Sequence, residues 1–150
     1  MKIDAPIITR DPSDAADLSS KIEASGFDGL CTFEGPHEPF LPLAVAASNT
    51  KKINLITSIA IAFARNPMLL ANIGYDLQLL SKGRFIMGLG SQIKPHIEKR
   101  FSMPWSSPAN RMREMIQAIK SIWECWENGT QLNFKGCLLY TSDAADEIVR

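Results

Sequence analysis

The sequence of 150 residues is poor in cysteine, has no surplus of either charge and contains no long apolar run. Its cysteines are Cys31, Cys125 and Cys137, widely spaced and without a CxxC pair. An odd number at such spacing suits neither a disulfide framework nor a zinc site, so no metal centre is expected, and the thiols are expected reduced in a cytoplasmic protein. Lys plus Arg number 16 and Asp plus Glu number 16, so the net charge is zero. That balance gives no electrostatic footprint for nucleic acid or for an acidic membrane surface. No stretch approaches the roughly 20 apolar residues of a membrane span. The opening MKIDAPIITR has one lysine and no apolar core segment, and it does not read as a signal peptide. Neither GxGxxG nor a Walker motif occurs, which weakens the case for a nucleotide-binding open sheet.

What is present is a repeated alternation of strand and helix patterns. Residues 2–8 (KIDAPII) read as a short buried strand. Asp11-Pro12 opens a helix, with Ala15, Leu18 and Ile22 at helical spacing and Gly26 as its stop. Residues 30–33 read as a second strand, and Leu43, Ala46 and Ala47 mark a short helix after Pro39 and Pro42. Residues 53–62 (INLITSIAIA) form the clearest strand pattern. Asn66-Pro67 then starts a helix whose buried stripe is expected at Leu69, Ile73, Leu77 and Leu80, ending at Gly83. Residues 84–89 predict a fourth strand. Ser107-Pro108 opens the longest helix, with Met112, Met115, Ile116, Ile119, Ile122, Trp123 and Trp126 as its core face and Asn128-Gly129 as its end. Four β-α units with apolar strands imply a parallel sheet covered by helices, either an open doubly wound sheet or part of a (β/α)₈ barrel. A complete barrel takes about 250 residues and eight strands.

The segment after Gly136 has no cap, strand alternation or helix stripe. Residues 137–147 (CLLYTSDAADE) resemble the translation of a transposon-end adapter used in short-read library preparation. Residues 137–150 are therefore expected to be a non-native tail, and residues 1–136 a partial domain.

Five segments together resemble the luciferase-like monooxygenase superfamily, especially its coenzyme F-420 (deazaflavin) dependent oxidoreductases. They are ASGFDGL at 24–30, FEGPHEPFLPLA at 33–44, TSIAIAFARNP at 57–67, LSKGRFIMGLGSQ at 80–92 and KRFSMPWSSPANRMREM at 99–115. The resemblance implies an α/β fold: the N-terminal half of a (β/α)₈ TIM barrel, truncated after about four β-α units. Barrel enzymes place chemistry at the C-terminal ends of their strands, and that rule selects three places. After the second strand, Glu34 matches an acidic cofactor-lining position. Gly35 stands where His is usual in the family, and His37 lies three residues after Glu34. Glu34 and His37 are the candidate catalytic pair, a His beside a carboxylate being suited to give or take a proton as hydride moves. At the end of the third strand the resemblance implies a non-prolyl cis peptide joining Ser58 to Ile59, behind the central ring of the cofactor. After the fourth strand Gly90, Ser91 and Gln92 are expected against the ring edge or ribityl chain, with Gly88 also allowing close approach. Lys94, His96, Lys99, Arg100 and Arg65 either meet an anionic group or form a solvated face. Trp123, Trp126, Met112 and Met115 are expected in the core, and Cys31 buried and inert.

The implied activity is hydride transfer between reduced or oxidised coenzyme F-420 and an organic small molecule, by a cytoplasmic parent protein, as a homodimer. The same fold using FMN to activate oxygen as a monooxygenase is the alternative. From another class, the chain by itself is an inactive half-barrel, with exposed sheet edges at its first and fourth strands and a tendency to self-associate.

Overall fold

The computed structural model describes residues 1–142, which fall into two compact units. The first comprises residues 1–61 and 73–90. Its main sheet joins β1 (Asp4–Pro6), β2 (Gly29–Thr32), β3 (Asn54–Thr57) and, in the fourth place, Phe85–Ile86. Every pairing is parallel. A second parallel pair joins β4 (Ala60–Ile61) to Leu89–Gly90. Phe85–Ile86 and Leu89–Gly90 are numbered β5 and β6. Helices α1 (Ala15–Ala24), α2 (Phe40–Asn49) and α3 (Pro67–Leu80) supply the crossovers that parallel neighbours require. α3 enters this unit from Ile73 onward.

Local chemistry places each helix. The Asp11 carboxylate accepts from the Ser13 N–H at 2.9 Å, and Pro12 begins a 3₁₀ turn that leads into α1. Gly26, at φ +83°, lies just past the end of α1. α2 buries Phe40, Leu43, Ala46 and Ala47. The Phe40 ring meets Phe85 edge-to-face, with centroids 6.4 Å apart, a geometry worth about 0.5–1.5 kcal/mol beyond the area it buries. The Asn66 side chain accepts from Leu69 N–H at 2.8 Å and caps α3 as the sequence predicts.

Two strands expected to be continuous are each interrupted. Residues 53–62 give β3 and β4 with Ser58 and Ile59 between them, followed by a 3₁₀ turn at Ala62–Ala64. Residues 84–89 give β5 and β6 with Met87 and Gly88 between. The cause is a side chain entering the ladder. Thr57 Oγ1 donates to the Gly88 carbonyl and accepts the Gly88 N–H, both at 2.9 Å. The first strand is also shorter than expected. Ile7 is buried, but Ile3 and Ile8 are exposed, because β1 lies at the edge of the sheet. β5 is the other edge. Cys31, in β2 beside the β1 edge, is half-buried rather than fully buried. Burial and the nearby Asp4 carboxylate push its thiol up, which keeps it protonated.

The second unit comprises residues 62–72 and those from Ser91 onward. It contains a π-helical turn at His96–Arg100, α4 (Pro108–Asn128), and an antiparallel hairpin of β7 (Asn133–Lys135) and β8 (Tyr140–Ser142). α4 buries Arg111, Met115, Ala118, Ile119 and Ile122. Ile116 and Trp126, expected in the core, are 41% and 38% exposed. Met112 and Trp123 are half-buried, and the Trp123 indole N–H donates to the Ala71 carbonyl at 2.9 Å. The stripe is rotated because Arg111 occupies a core position. Its guanidinium lies 4.5 Å from the Phe63 ring centroid and donates to the Pro104 carbonyl. The α3 stripe is also shifted from the expected one: Leu70, Ala71 and Leu77 are buried, while Leu69 and Leu80 are exposed and Ile73 is half-buried.

The segment read as patternless contains β8 within its described part, 137–142. Its turn is held by a side chain that strand alternation does not reveal. The Glu114 carboxylate accepts the N–H groups of Cys137, Leu138 and Leu139 at 2.8–3.1 Å. The rest of the expected non-native tail, 143–150, lies outside the described residues.

Two contacts secure the N-terminal ends of the strands in the first unit. The Arg84 guanidinium donates to the carbonyls of Ala47, Thr50, Ile53 and Ser81 and to Thr50 Oγ1. The Glu23 carboxylate accepts the N–H groups of Lys51, Lys52 and Ile53. Replacing Arg84 by Met is expected to lower stability by about 3 kcal/mol, because charge-assisted bonds to several half-buried carbonyls vanish together. A lower urea midpoint at unchanged slope checks this. At Glu23 burial pushes the carboxyl up, but the three N–H donors and the Arg84 charge outweigh it and hold the group below the usual glutamate range. A depressed folded value stabilises above the unfolded one and loses that effect as pH falls through the folded value. The wild type should therefore be more stable than Glu23→Gln at neutral pH, with the gap closing on acidification below the ordinary glutamate range. A constant gap across a pH series of thermal melts would contradict this.

Candidate functional site

At the C-terminal ends of β2, β3 and β5, backbone and side chains converge on the interruption at Ser58–Ile59. That peptide bond is cis. Ser58 N–H donates to the Thr32 carbonyl at 2.6 Å, and Ala60 N–H donates to the Gly88 carbonyl at 2.9 Å. The loop after β2 reaches the same point. Glu34 N–H donates to the Ile59 carbonyl at 3.1 Å, and Glu34 Oε2 accepts the Ile61 N–H at 2.6 Å. Glu34 thus clasps the backbone on both sides of Ala60. The short contact to Ile61 is of the charge-assisted kind formed between a carboxylate and a backbone N–H.

The glycines after β5 fit beneath this segment. A Cβ on Gly88 would collide with the Thr57 carbonyl oxygen, and one on Gly90 would come 2.7 Å from Ile59 Cδ1. The Ile59 side chain therefore lies over Gly90. It is 36% exposed, and Ser58 beside it is also exposed. The outcome is a small wall of backbone, an apolar side chain and one hydroxyl, with the half-buried Glu34 behind it. Glu34, Ser58, Ile59 and Gly90 are brought together here as the sequence predicts.

The other expected residues are placed differently. His37 is exposed and lines a separate cleft with Phe33, Gly35 and Arg10; it makes no hydrogen bond or ion pair among the described residues. Ser91 and Gln92 belong to the second unit. There the Ser91 hydroxyl donates to the Gln92 carbonyl at 3.2 Å, and Gln92 Oε1 accepts the Ile93 N–H at 3.0 Å. Gln92 has a positive φ of 60°, so this loop turns sharply as soon as it leaves β6. Lys94, His96, Lys99 and Arg100 are exposed, with Lys94 paired to Glu98 at 3.8 Å and Arg100 stacked over Phe101. Arg65 is half-buried and has partners of its own. No cluster of potential metal ligands occurs among the described residues. No helix there is long and apolar enough to cross a membrane.

Three residues of consequence escaped the sequence reading. Thr57 looks like an ordinary strand residue, yet its hydroxyl couples the third and fourth strand lines. Arg111 could have been found from its spacing, since 111, 115, 118 and 122 share one helical face. Arg10 follows the first strand and lines the cleft, but an isolated arginine in a loop carries no sequence signal.

Comparisons with known proteins bear on the family and the fold. An uncharacterised protein of Mycobacterium tuberculosis is 59% identical over 122 residues, which cover 81% of this chain and 36% of the relative. A putative coenzyme F-420-dependent oxidoreductase of the same organism is 33% identical over 113 residues, covering 75% of this chain and 33% of the relative. The chain thus spans about a third of the length of these relatives. Among solved structures, the oxygenating constituent of 3,6-diketocamphane monooxygenase from Pseudomonas putida, in complex with FMN, is similar at a TM-score of 0.80 and 15% identity. That likeness covers 98% of this chain and 46% of the solved one. The fold is α/β, a set of β-α units of the (β/α)₈ barrel type. The family model for luciferase-like monooxygenases matches residues 3–149, and the chain belongs to that family.

Proposed function

We propose that the whole protein is an oxidoreductase that transfers hydride between coenzyme F-420 and an organic small molecule. The observation that carries this reading is the wall at Ser58–Ile59, with Gly90 beneath it and Glu34 fastening it to the loop after β2. A planar deazaflavin needs an apolar backing with few polar groups, and an exposed Ile59 beside one free-standing hydroxyl fits that need. When bound, the cofactor supplies the two-electron carrier. Ile59 and Gly90 give its ring a rigid face and exclude water from it. Glu34 fixes the backbone of that face through Ile61. Ser58 offers a hydroxyl at the ring edge. His37 gives or takes the proton that accompanies hydride. The likeness to a putative F-420-dependent oxidoreductase supports the choice of cofactor.

FMN-dependent monooxygenation is a second reading, favoured by the similarity to an FMN-bound monooxygenase. Absorbance titration of the full-length protein with each cofactor separates the two readings. Barrels of this kind commonly complete their phosphate site with loops after the seventh and eighth strands, so turnover is expected of the full-length protein and not of this span alone.

Gly90→Val should displace Ile59 and weaken cofactor binding at least tenfold, with little loss of overall fold by circular dichroism. Unchanged binding would remove the wall from the cofactor site. His37→Gln should lower kcat by about 100-fold, the usual scale for a lost proton-transfer group, with cofactor affinity unchanged. A variant that keeps full turnover would exclude His37 from proton transfer.

A further inference from the structure

A cleft of about 490 Å³ lies between the loop after β1 and the loop after β2, within the first unit. That volume is in the range of roughly 300–1,000 Å³ typical of small-molecule pockets. Its walls are mainly apolar, and they gather three large hydrophobic side chains that are otherwise left in solvent. Ile8 is 72% exposed, Phe33 51% and Leu41 52%. Side chains of this size standing out of a fold are informative when they converge on one concavity.

The polar lining is sparse, and most of it is committed. The Thr9 hydroxyl lies 2.7 Å from the Asp11 carbonyl and 2.9 Å from Asp14 Oδ2. The Thr32 hydroxyl donates to the Pro39 carbonyl at 2.8 Å. Glu38, the acidic member of the lining, is not without partners. Arg10 and His37 have none among the described residues. An exposed guanidinium that lines an apolar cleft and has no partner among the described residues is suited to a carboxylate, which it can hold through two parallel bonds.

The cleft also adjoins the wall described above. One short loop supplies both, since Phe33 and Gly35 line the cleft while Glu34 between them holds the backbone at Ile59 and Ile61. We propose that this cleft binds an organic carboxylate, with its apolar body against Ile8, Phe33 and Leu41 and its carboxylate on Arg10. That this ligand is the substrate of the oxidoreductase rests on the cofactor reading above; the preference for an anion does not.

Saturation-transfer NMR on the full chain, without cofactor, tests the preference with three probes of one length: octanoate, octanol and octylammonium. Octanoate should bind about tenfold more tightly than octanol, and octylammonium more weakly than either. Arg10→Gln should reduce octanoate to the level of octanol and leave octanol unchanged. Arg10 is exposed, so this variant should keep the wild-type melting temperature. Glu38→Gln should not weaken octanoate. The proposal is overturned if octanol matches octanoate in the wild type, if Arg10→Gln binds octanoate normally, or if none of the probes binds at millimolar concentration. Parallel titration with F-420 and FMN keeps the two readings apart. Octanoate binding without cofactor binding leaves the cleft an anion site and removes the oxidoreductase role. Cofactor binding without octanoate selectivity does the reverse.

Discussion

The carboxylate of Glu34 holds the part of the molecule on which the rest of the site depends. At Ser58 and Ile59 the third strand line leaves the ladder, and its backbone groups need partners elsewhere, since buried N–H and C=O groups are costly when unpaired. Thr32 accepts from Ser58, Gly88 accepts from Ala60, and Glu34 serves both the Ile59 carbonyl and the Ile61 N–H. Without Glu34 the interruption would lose one end of its support, and Ile59 would no longer be fixed over Gly90. An acidic residue at this point therefore has a structural task before it has a chemical one.

The opposite ends of the same strands show a different economy of contacts. There Arg84 collects carbonyls from the end of α2, from the residue before β3 and from the end of the α3 turn, while Glu23 collects the N–H groups of 51–53. Each charge satisfies several backbone groups that no strand or helix can reach. At this end, therefore, the two charged side chains confer stability. The C-terminal end leaves Ser58, Ile59, His37 and Arg10 facing outward. The C-terminal end is the one at which parallel barrel strands generally carry their functional residues.

Most of the element order was legible in the sequence because it follows from periodicity and punctuation. Pro12, Asn66 and Pro108 begin helices, and Gly26, Gly83 and Gly129 end them at positive φ. Three of the departures share one physical origin, a side chain that takes a place where none was expected. Thr57 breaks two strands that look continuous as a run of apolar residues. Arg111 takes a core position on α4 because its charge rests on Phe63 and a carbonyl, and it turns Ile116 and Trp126 outward. Glu114 makes a turn where no turn signature exists. The site was legible only in part. Glu34, Ser58, Ile59 and Gly90 follow from segment resemblance and strand-end position, whereas the placement of His37 on a separate cleft depends on loop geometry that no local pattern encodes.

The glycines of GLG illustrate how such a motif should be understood. A glycine next to a proposed cofactor site invites the explanation that a ligand must approach the backbone. Here the close neighbours are internal. Gly88 is required by the Thr57 carbonyl and Gly90 by the Ile59 side chain. The motif therefore reports the packing of two strand lines at their interruption, and the surface offered to a ligand is Ile59 itself. A larger residue at position 90 would act on the ligand only through Ile59. In the same way, Glu34 acts through Ile61. The wall is thus a set of second-hand effects that converge on one exposed side chain, which is why its parts are dispersed through the sequence and come together only when β2, β3 and β5 have paired.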